Sequence, residues 1–502
     1  MNSPLSIVLL LCATFGAVPV GSAAPVPKLD RSKVYINVLG FEDAGLTNAP
    51  KAPAHSDDTI YDVIIIGGGL SGLTAAWYLR DHRILLLERK DTAGGLALRG
   101  VSKEGVAYGR GSAYFSKPRG QVEKIYADLG LDPVEKRAIP EPSDSFFWNG
   151  RLYIGVWEEE TLRHLPRGFS QFKEAIREAE AKGLIAEQPM EEAANLQLDL
   201  STAAGFIKPF GPELKDFMDS YSQSALGAKT DQINAMAFLN FYLAEMETRY
   251  AWPGGTAGAS LRLNNLLTAH NPGILRTGAH VTRVRNVAGG VEITWQEAGA
   301  AREARARFAV MAVPLLTASW LMDDYPDDRR RLVARLPYAN YVVHTVFTSR
   351  ELFTGSYDTW FANRSFSDVI TARWIEAAGF RPAVPAGPGI LSIYQPLSPA
   401  RKVDLGDTNK VADLAMTALQ ELAEMIPDLA KEARLEVESY RWPASIHVVP
   451  PGYFSTWVPT LKPPVGRVYF AGNNLGTPSF EEALYRGWRA AKDVQGRFGT
   501  KP

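Results

Sequence analysis

The sequence predicts an α/β protein: a parallel sheet between helices built around a dinucleotide site, with a second, α+β domain made of insertions. Three observations predict it. Tyr61–Gly95 reads strand, glycine turn, helix, strand and acid. Val468–Ala491 reads strand, turn and capped helix. Between them, two long stretches break that rhythm, one mostly helical and one rich in strands.

Val63–Ile66 is an apolar run too short for a helix and rich in β-branched residues, so it reads as a buried parallel strand. Gly67, Gly69 and Gly72 follow at G-x-G-x-x-G spacing. Leu70 and Ser71 open a helix whose apolar face carries Leu70, Leu73, Ala76, Trp77 and Leu79. A second strand, Ile84–Leu87, ends in Glu88, with Arg89 next to it. Each part has a physical task. Gly67 permits the tight turn, Gly69 admits a pyrophosphate to the backbone, and Gly72 lets helix and strand pack closely. The helix N-terminus offers unpaired N–H groups and the positive end of its dipole. Glu88, about 20 residues downstream, can accept hydrogen bonds from a ribose. Gly94 and Gly95 let a second loop approach the same ligand.

At the other end, Val468–Ala471 reads as a strand, Gly472 as a turn with Asn473 and Asn474, and Ser479–Ala491 as a helix. Ser479 is its expected cap, Phe480 and Glu481 form the first turn, and Glu482 can complete a capping box. A second helix N-terminus is thereby available for an electron-rich group.

DVIIIGGGLSGLTAAWYL with LLLERKDTAGG near the start, and GRVYFAGNNLGTPSFEEALYRGWRAA near the end, resemble the flavin-containing amine oxidase superfamily. That group includes monoamine and polyamine oxidases, L-amino-acid oxidases and, more distantly, phytoene-desaturase-type enzymes. WPGGTAGASLRLNNLL (Trp252–Leu267), GAHVTRVRNVAGGVEITW (Gly278–Trp295) and ARFAVMAVPL (Ala306–Leu315) agree with it in order. The resemblance runs from about Tyr61 to Val494. It implies an FAD-binding Rossmann-like domain of the amine-oxidase/glutathione-reductase type. It further implies that Gly105–Pro118, with Gly111 and Ser112, passes the flavin ring, with Tyr114 and Phe115 either near flavin or substrate or in the core. It places the main chain of Val281 against the adenine, and a helical cover over the flavin.

The resemblance also places a catalytic lysine on the strand matching Asn340–Phe347, where His344 stands in this chain. A neutral imidazole there can hold a water or take a proton; the alternative is a hydrogen-bonded core histidine. Three further departures stand out. Ala444 and Ser445 occupy the flavin-linking and aromatic-cage segment, and Ser479 stands where the other cage wall has Tyr, leaving Trp442 and His447 to shape the site or to pack. Asn474 replaces the acid of the family's AG-x-E/D. Leu96 replaces the arginine after the glycine pair, with Arg99 a possible substitute.

The length, 502 residues, calls for about two domains. The expected division is a cofactor domain over 60–144, 251–335 and 440–502, and a substrate domain over 145–250 and 336–439. A formal net charge of −1 gives no pull toward nucleic acid or anionic lipid. Residues 1–23 resemble an export signal, although no Lys or Arg precedes the apolar run; export to the periplasm or medium is the expectation. The run is too short to span a membrane. Residues 24–59 read as an arm with little periodicity. Cys12 is the only cysteine, so a mature chain would have neither disulfides nor a thioether-linked flavin; FAD is expected to be non-covalent. No metal-ligand spacing is present.

Phe146–Tyr250 reads mostly as helix, including Ser170–Gly183 with a Ser cap, Pro212–Gly227, and Ala235–Glu247, which is apolar nearly all round. The expected function is oxidation of a small-molecule substrate carbon, often one bearing nitrogen, by hydride transfer to flavin N5. Oxygen or a redox protein is the expected acceptor. The rivals are a desaturase or isomerase of an apolar polyene or ring, and a flavoprotein retained as a binding partner.

Overall fold

The computed structural model describes residues 27–40, 55–131, 137–377 and 387–498. The proposed signal, residues 24–26 and 41–54 of the proposed arm, and Cys12 lie outside the described residues. No helix among the described residues is long and apolar enough to cross a membrane.

Two sheets organise the chain. The first has seven strands, with His55–Ile66 between Ile84–Leu87 and the long strand Ala300–Met311. All three run parallel, and Val63–Ile66 pair in register with Ile84–Leu87. Val63, Ile64, Ile65 and Leu85–Leu87 are all buried, which is why both strands read as unbroken apolar runs. Burying each such side chain contributes about 1.5–3 kcal/mol before entropy is set against it. Ala300–Met311 joins the chain's two ends: its last three residues pair in parallel with Val468–Phe470 near the C-terminus. Its first half continues antiparallel through Gly290–Glu297 to Ala279–Val287.

On one face of this sheet lie helices Leu70–Leu79, Ala257–His270 and Phe480–Gln495, sharing a core of Leu70, Leu73, Leu79, Leu263, Leu267 and Leu484. The contact between the first and last is backbone-close: a Cβ on Gly487 would lie 2.2 Å from Ser71 O.

The second sheet has eight strands in the order Val34–Leu39, Leu435–His447, Tyr338–Thr348, Gly389–Leu397, Asp368–Thr371, Asp358–Phe361, Asp144–Trp148, Arg151–Ile154. Helix Thr408–Leu422 covers one face, through Leu419 and Leu422 against Val346 and Leu391. The inserted helices Arg167–Ala181, Pro212–Leu226 and Ala235–Glu245 pack an aromatic-rich core on the other, around Phe146, Phe169, Phe172 and Phe217.

Several sequence expectations shift here. Residues 34–39 are the edge strand of this sheet, paired in parallel with 435–440. The boundary drawn at 440 cuts the strand Leu435–His447, whose ladder to Tyr338–Phe347 runs past that point to His447. Residues 144–154 form a hairpin where the stretch read as mostly helix begins, because Phe146, Phe147 and Trp148 pair across to Arg151–Tyr153. The helix expected from Ser170 begins at Arg167 behind Pro166, whose fixed φ suits a helix start. Ser170 Oγ bonds back to Arg167 O inside that helix instead of capping it.

Candidate active site

The glycine turn takes the form its spacing requires. Gly67 has φ +99°, and a Cβ on it would lie 2.6 Å from Ala312 O. A Cβ on Gly72 would fall 1.9 Å from Gly67 O. At Gly69 the same atom would meet only Gly95 Cα, at 3.9 Å, so the backbone is open to an approaching group. Gly69 caps the helix from outside with extended φ/ψ, and no side chain there competes for the first N–H groups of Leu70 and Ser71. Gly94 N donates to Gly68 O at 2.8 Å, which brings the Gly94–Gly95 loop beside the turn.

Glu88 stands at the strand tip, accepting from Gly68 N at 2.6 Å and from Lys90 N at 2.8 Å. Two of a carboxylate's roughly four acceptor sites remain, enough for a ribose diol. Ala279 N donates to Glu88 O at 2.8 Å, which sets the strand carrying Val281 beside this tip. Arg89 is half-buried next to it.

A cavity of about 200 Å³ opens where the two sheets meet. Leu96, Gly111, Ser112, Ser479, Phe480 and Glu481 line it from the first domain. Ser112 N donates to Leu96 O at 2.9 Å, which binds the two loops together. Ser479 Oγ accepts from Glu482 N at 3.0 Å, the expected cap. The other half of the capping box does not form. Glu482 is fully buried and its carboxylate pairs with Arg486 at 2.5 Å. Glu481 accepts from Ser116 N and Ser116 Oγ, both at 2.9 Å, and burial raises its pKa. Phe480 stacks on Phe115 at 5.0 Å, and Phe115 on Trp252 at 4.5 Å, so Phe115 is a packing residue at the cavity edge.

Gly472 and Asn473 form the turn before the last helix, with Asn473 O accepting from Gly476 N. Asn474 is buried and engaged with protein. Its Oδ1 accepts from Leu315 N and its Nδ2 donates to His447 Nδ1, both at 3.1 Å. One amide N–H remains for a cofactor, fewer contacts than the sequence reading assigned it. His447 donates from Nε2 to Gly476 O at 2.8 Å. Burial lowers its pKa to about 4, so it is neutral at pH 7 and ties down the turn without lining the cavity. Arg99 does not replace the missing arginine, since it is exposed on the short strand Arg99–Val101.

His344 is the main correction. Tyr341 and Val343 of its strand line the cavity; His344 points to the opposite face. There it is fully buried, with Nδ1 2.8 Å from Ser439 Oγ and Nε2 3.0 Å from Gln395 Oε1. Burial holds its pKa near 4. Side chains alternate between the faces of a strand, so the residues that meet the cavity are the neighbours of His344 and not His344 itself.

The rest of the cavity wall comes from the second domain. Tyr341, Tyr394 and Trp442 line it from three adjacent strands, and Phe241 and Glu245 from helix Ala235–Glu245. Tyr394 OH donates to Gly111 O at 2.8 Å and Trp442 Nε1 to Arg110 O at 2.5 Å, so both rings are fixed against the first domain's loop. Tyr114 OH donates to Glu245 Oε2 at 3.2 Å. Glu245, Asp368 and Arg249 also line the cavity and were not anticipated. The available signal was small: an acid ending an apolar helix, with an arginine four residues on.

The family described as flavin-containing amine oxidoreductase matches residues 70–495. A bovine protein named amine oxidase [flavin-containing] A is 23% identical over 477 residues, covering 88% of this chain and 86% of that one. A solved cyclohexylamine oxidase from Brevibacterium oxydans superposes with a TM-score of 0.65 at 21% identity, over 88% of this chain and all of the other. A solved fatty acid isomerase from P. acnes superposes with a TM-score of 0.63 at 18% identity, over 88% and 99% of the two chains.

Proposed function

From the premise that this chain belongs to the family of flavin-containing amine oxidoreductases and is an FAD-dependent oxidoreductase, we propose that it oxidises a substrate carbon bearing an amine. When bound, the flavin supplies a hydride acceptor at N5. Gly69, Leu70 and Ser71 would hold the pyrophosphate, Glu88 the adenosine ribose, and Val281 the adenine by its main chain. The loops at Gly95–Leu96 and Gly111–Ser112 and the helix N-terminus at Ser479–Glu481 would hold the flavin half. The open approach at Gly69 and the uncommitted acceptor sites of Glu88 support this fit. Cysteine is absent from all described residues, which supports non-covalent binding.

The protein's own part is position. Tyr341, Tyr394 and Trp442 give the substrate an apolar wall, and helix Ala235–Glu245 adds Phe241 and Ala244 to it.

One observation carries the amine reading over the polyene one: Glu245 and Asp368 bring carboxyl groups to the cavity wall, where a cationic or hydrogen-bonding substrate group can meet them and an apolar chain cannot. The apolar helix Ala235–Glu245 points its apolar residues Phe238, Leu239 and Leu243 into its own core, and shows the cavity Asn240, Phe241, Ala244 and Glu245.

The test is anaerobic flavin bleaching on the holoenzyme against amines, amino acids, polyenes and unsaturated fatty acids. The expected result is bleaching by an amine, with aldehyde or ketone and ammonia as products; peroxide on readmitting air would identify oxygen as the acceptor. A shifted or new C=C bond without ammonia would overturn the reading, and an unbleachable flavin would favour a binding role.

His344→Ala is expected to leave flavin reduction and reoxidation within about two-fold of wild type. It should lower stability by about 1–3 kcal/mol, because Ser439 and Gln395 lose a buried partner. Stopped-flow and thermal melts separate the two effects, and a hundred-fold slower reduction would restore His344 to the mechanism.

A further inference from the structure

Amine oxidation has a proton to place before it has a hydride to move. An alkylamine, with a pKa of about 10, enters at pH 7 as an ammonium. An ammonium has no lone pair to stabilise the cation left when its α carbon gives up a hydride. One carboxyl in the cavity is placed to take that proton. Glu245 ends helix Ala235–Glu245 and lines the cavity, with 9% of its side chain exposed. Two protein donors reach it, Arg249 Nη1 at 2.7 Å and Tyr114 OH at 3.2 Å. Both meet Oε2, so Oε1 is the oxygen left for a group in the cavity. Tyr114 belongs to the same cavity loop as Gly111 and Ser112, so one hydrogen bond ties Glu245 to the segment that would hold the flavin half.

The other acids of the cavity wall are held elsewhere. Glu247 pairs with Arg119 at 2.6 Å, Glu481 accepts from Ser116 N and Ser116 Oγ, and Asp368 accepts from Ser367 Oγ at 2.5 Å. Arg249 divides its charge, since its Nη2 lies 2.9 Å from Asp144 Oδ1. Asp358 and Asp368 face Glu245 from neighbouring strands of the second sheet, with Tyr357 before them. Tyr221 faces it from helix Pro212–Leu226, and Tyr242 stands on its own helix. Burial raises the pKa of Glu245, Arg249 opposes the rise and Asp144 adds to it, and the balance lies at about 7. A carboxyl so poised gains and loses a proton at neutral pH, as a base in repeated use must.

We propose that Glu245 is the base that deprotonates the substrate ammonium at Oε1, before hydride transfer. The proposal rests on the amine reading above. In the step, one N–H bond of the ammonium breaks and one O–H bond forms on Glu245. A neutral amine then stands beside a neutral carboxylic acid, and no electrons have passed. Between aromatic walls, two neutral groups cost less to bury than two ions. The nitrogen lone pair is now free to assist departure of the hydride from the α carbon. Glu245 returns its proton to water as product leaves.

The test is the pH profile of kcat/KM for flavin reduction, measured on the purified holoenzyme with n-alkylamines and with their weakly basic 2,2-difluoro analogues. For n-alkylamines, wild type should rise as Glu245 ionises, through about pH 7, and fall again near the amine's own pKa of about 10. E245Q should lose the lower limb and rise only as the amine itself deprotonates. At about pH 8 it should be about 100-fold slower than wild type on n-alkylamines, and within about threefold on the difluoro analogues, which arrive neutral. A merely structural loss would slow both amines by the same factor. Tyr114→Phe removes one hydrogen bond from the anion and should move the lower limb to higher pH. It serves as the second variant if E245Q, which leaves Arg249 short of a partner, fails to fold. A wild-type profile that follows only the amine's own pKa overturns the proposal, as does an equal loss in E245Q on both amines. If no amine bleaches the flavin at any pH, the oxidation reading falls and takes the proton step with it.

Discussion

Arg486→Ala is expected to destabilise the protein by about 3–5 kcal/mol, the usual effect of removing one partner from a buried charge pair. Arg486 sits inside the last helix with 5% of its side chain exposed. It donates to both oxygens of Glu191 at 2.8 Å and to Glu482 Oε1 at 2.5 Å. Those two carboxylates are 2% and 1% exposed. Burial tends to raise Glu191, but its bonds with Arg486 prevail and hold it below the ordinary value; burial pushes Glu482 up to about 7. Without the guanidinium, two buried acids would face each other across a hole.

The consequence reaches the cofactor, because Glu191 belongs to the helical insertion and Glu482 to the first turn of the helix whose N-terminus lines the cavity. The variant should melt several degrees lower and retain less flavin. Arg486→Lys should recover only part of the loss, since an ammonium cannot make the two-pronged contact with Glu191. A melting temperature unchanged within a degree would show that the triad contributes no net stability.

Gly72→Ala is expected to yield nearly colourless protein. The added methyl would lie 1.9 Å from Gly67 O and 3.2 Å from Ala312 Cβ. The first of these neighbours is backbone and cannot swing aside. Helix and strand must separate, at about 1–3 kcal/mol or more, and the separation moves the N–H groups at Leu70 and Ser71 away from where a pyrophosphate would lie. Gly69→Ala provides the contrast. Its methyl meets only Gly95 Cα at 3.9 Å, so the apoprotein should melt normally while flavin retention falls at least about tenfold, because the methyl stands in the cofactor's approach. The flavin-to-protein absorbance ratio and the apoprotein melting curve read the two effects separately. Full flavin content in both variants would remove Gly67–Gly72 from the cofactor site.

Much of the first domain was readable because its signals are local. Gly67, Gly69 and Gly72 act within one turn, and Glu88 follows on the very next strand. The cap at Ser479 and the helix end at Gly227, with φ +80°, likewise need only neighbouring residues. The errors arose where a neighbour in space is distant in sequence. His344 shows alternation correctly, yet nothing in NYVVHTVF states which face meets the cavity. Residues 34–39 look structureless until 435–440 provide a strand to pair with. Asn474 looks free until His447 and Leu315 claim its amide.

The amino-acid sequence by itself determined the dinucleotide turn, the second helix that faces it, and the family, since each depends on residues within a few positions of one another. Only the tertiary structure decided the chemistry of the substrate cavity. Asp144, Glu245, Arg249, Asp358 and Asp368 are ordinary charged residues along the chain, and become a single electrostatic site only when strands and a helix from separate insertions bury them together. Water would screen each of them separately; a shared low-dielectric pocket makes them answer to one another.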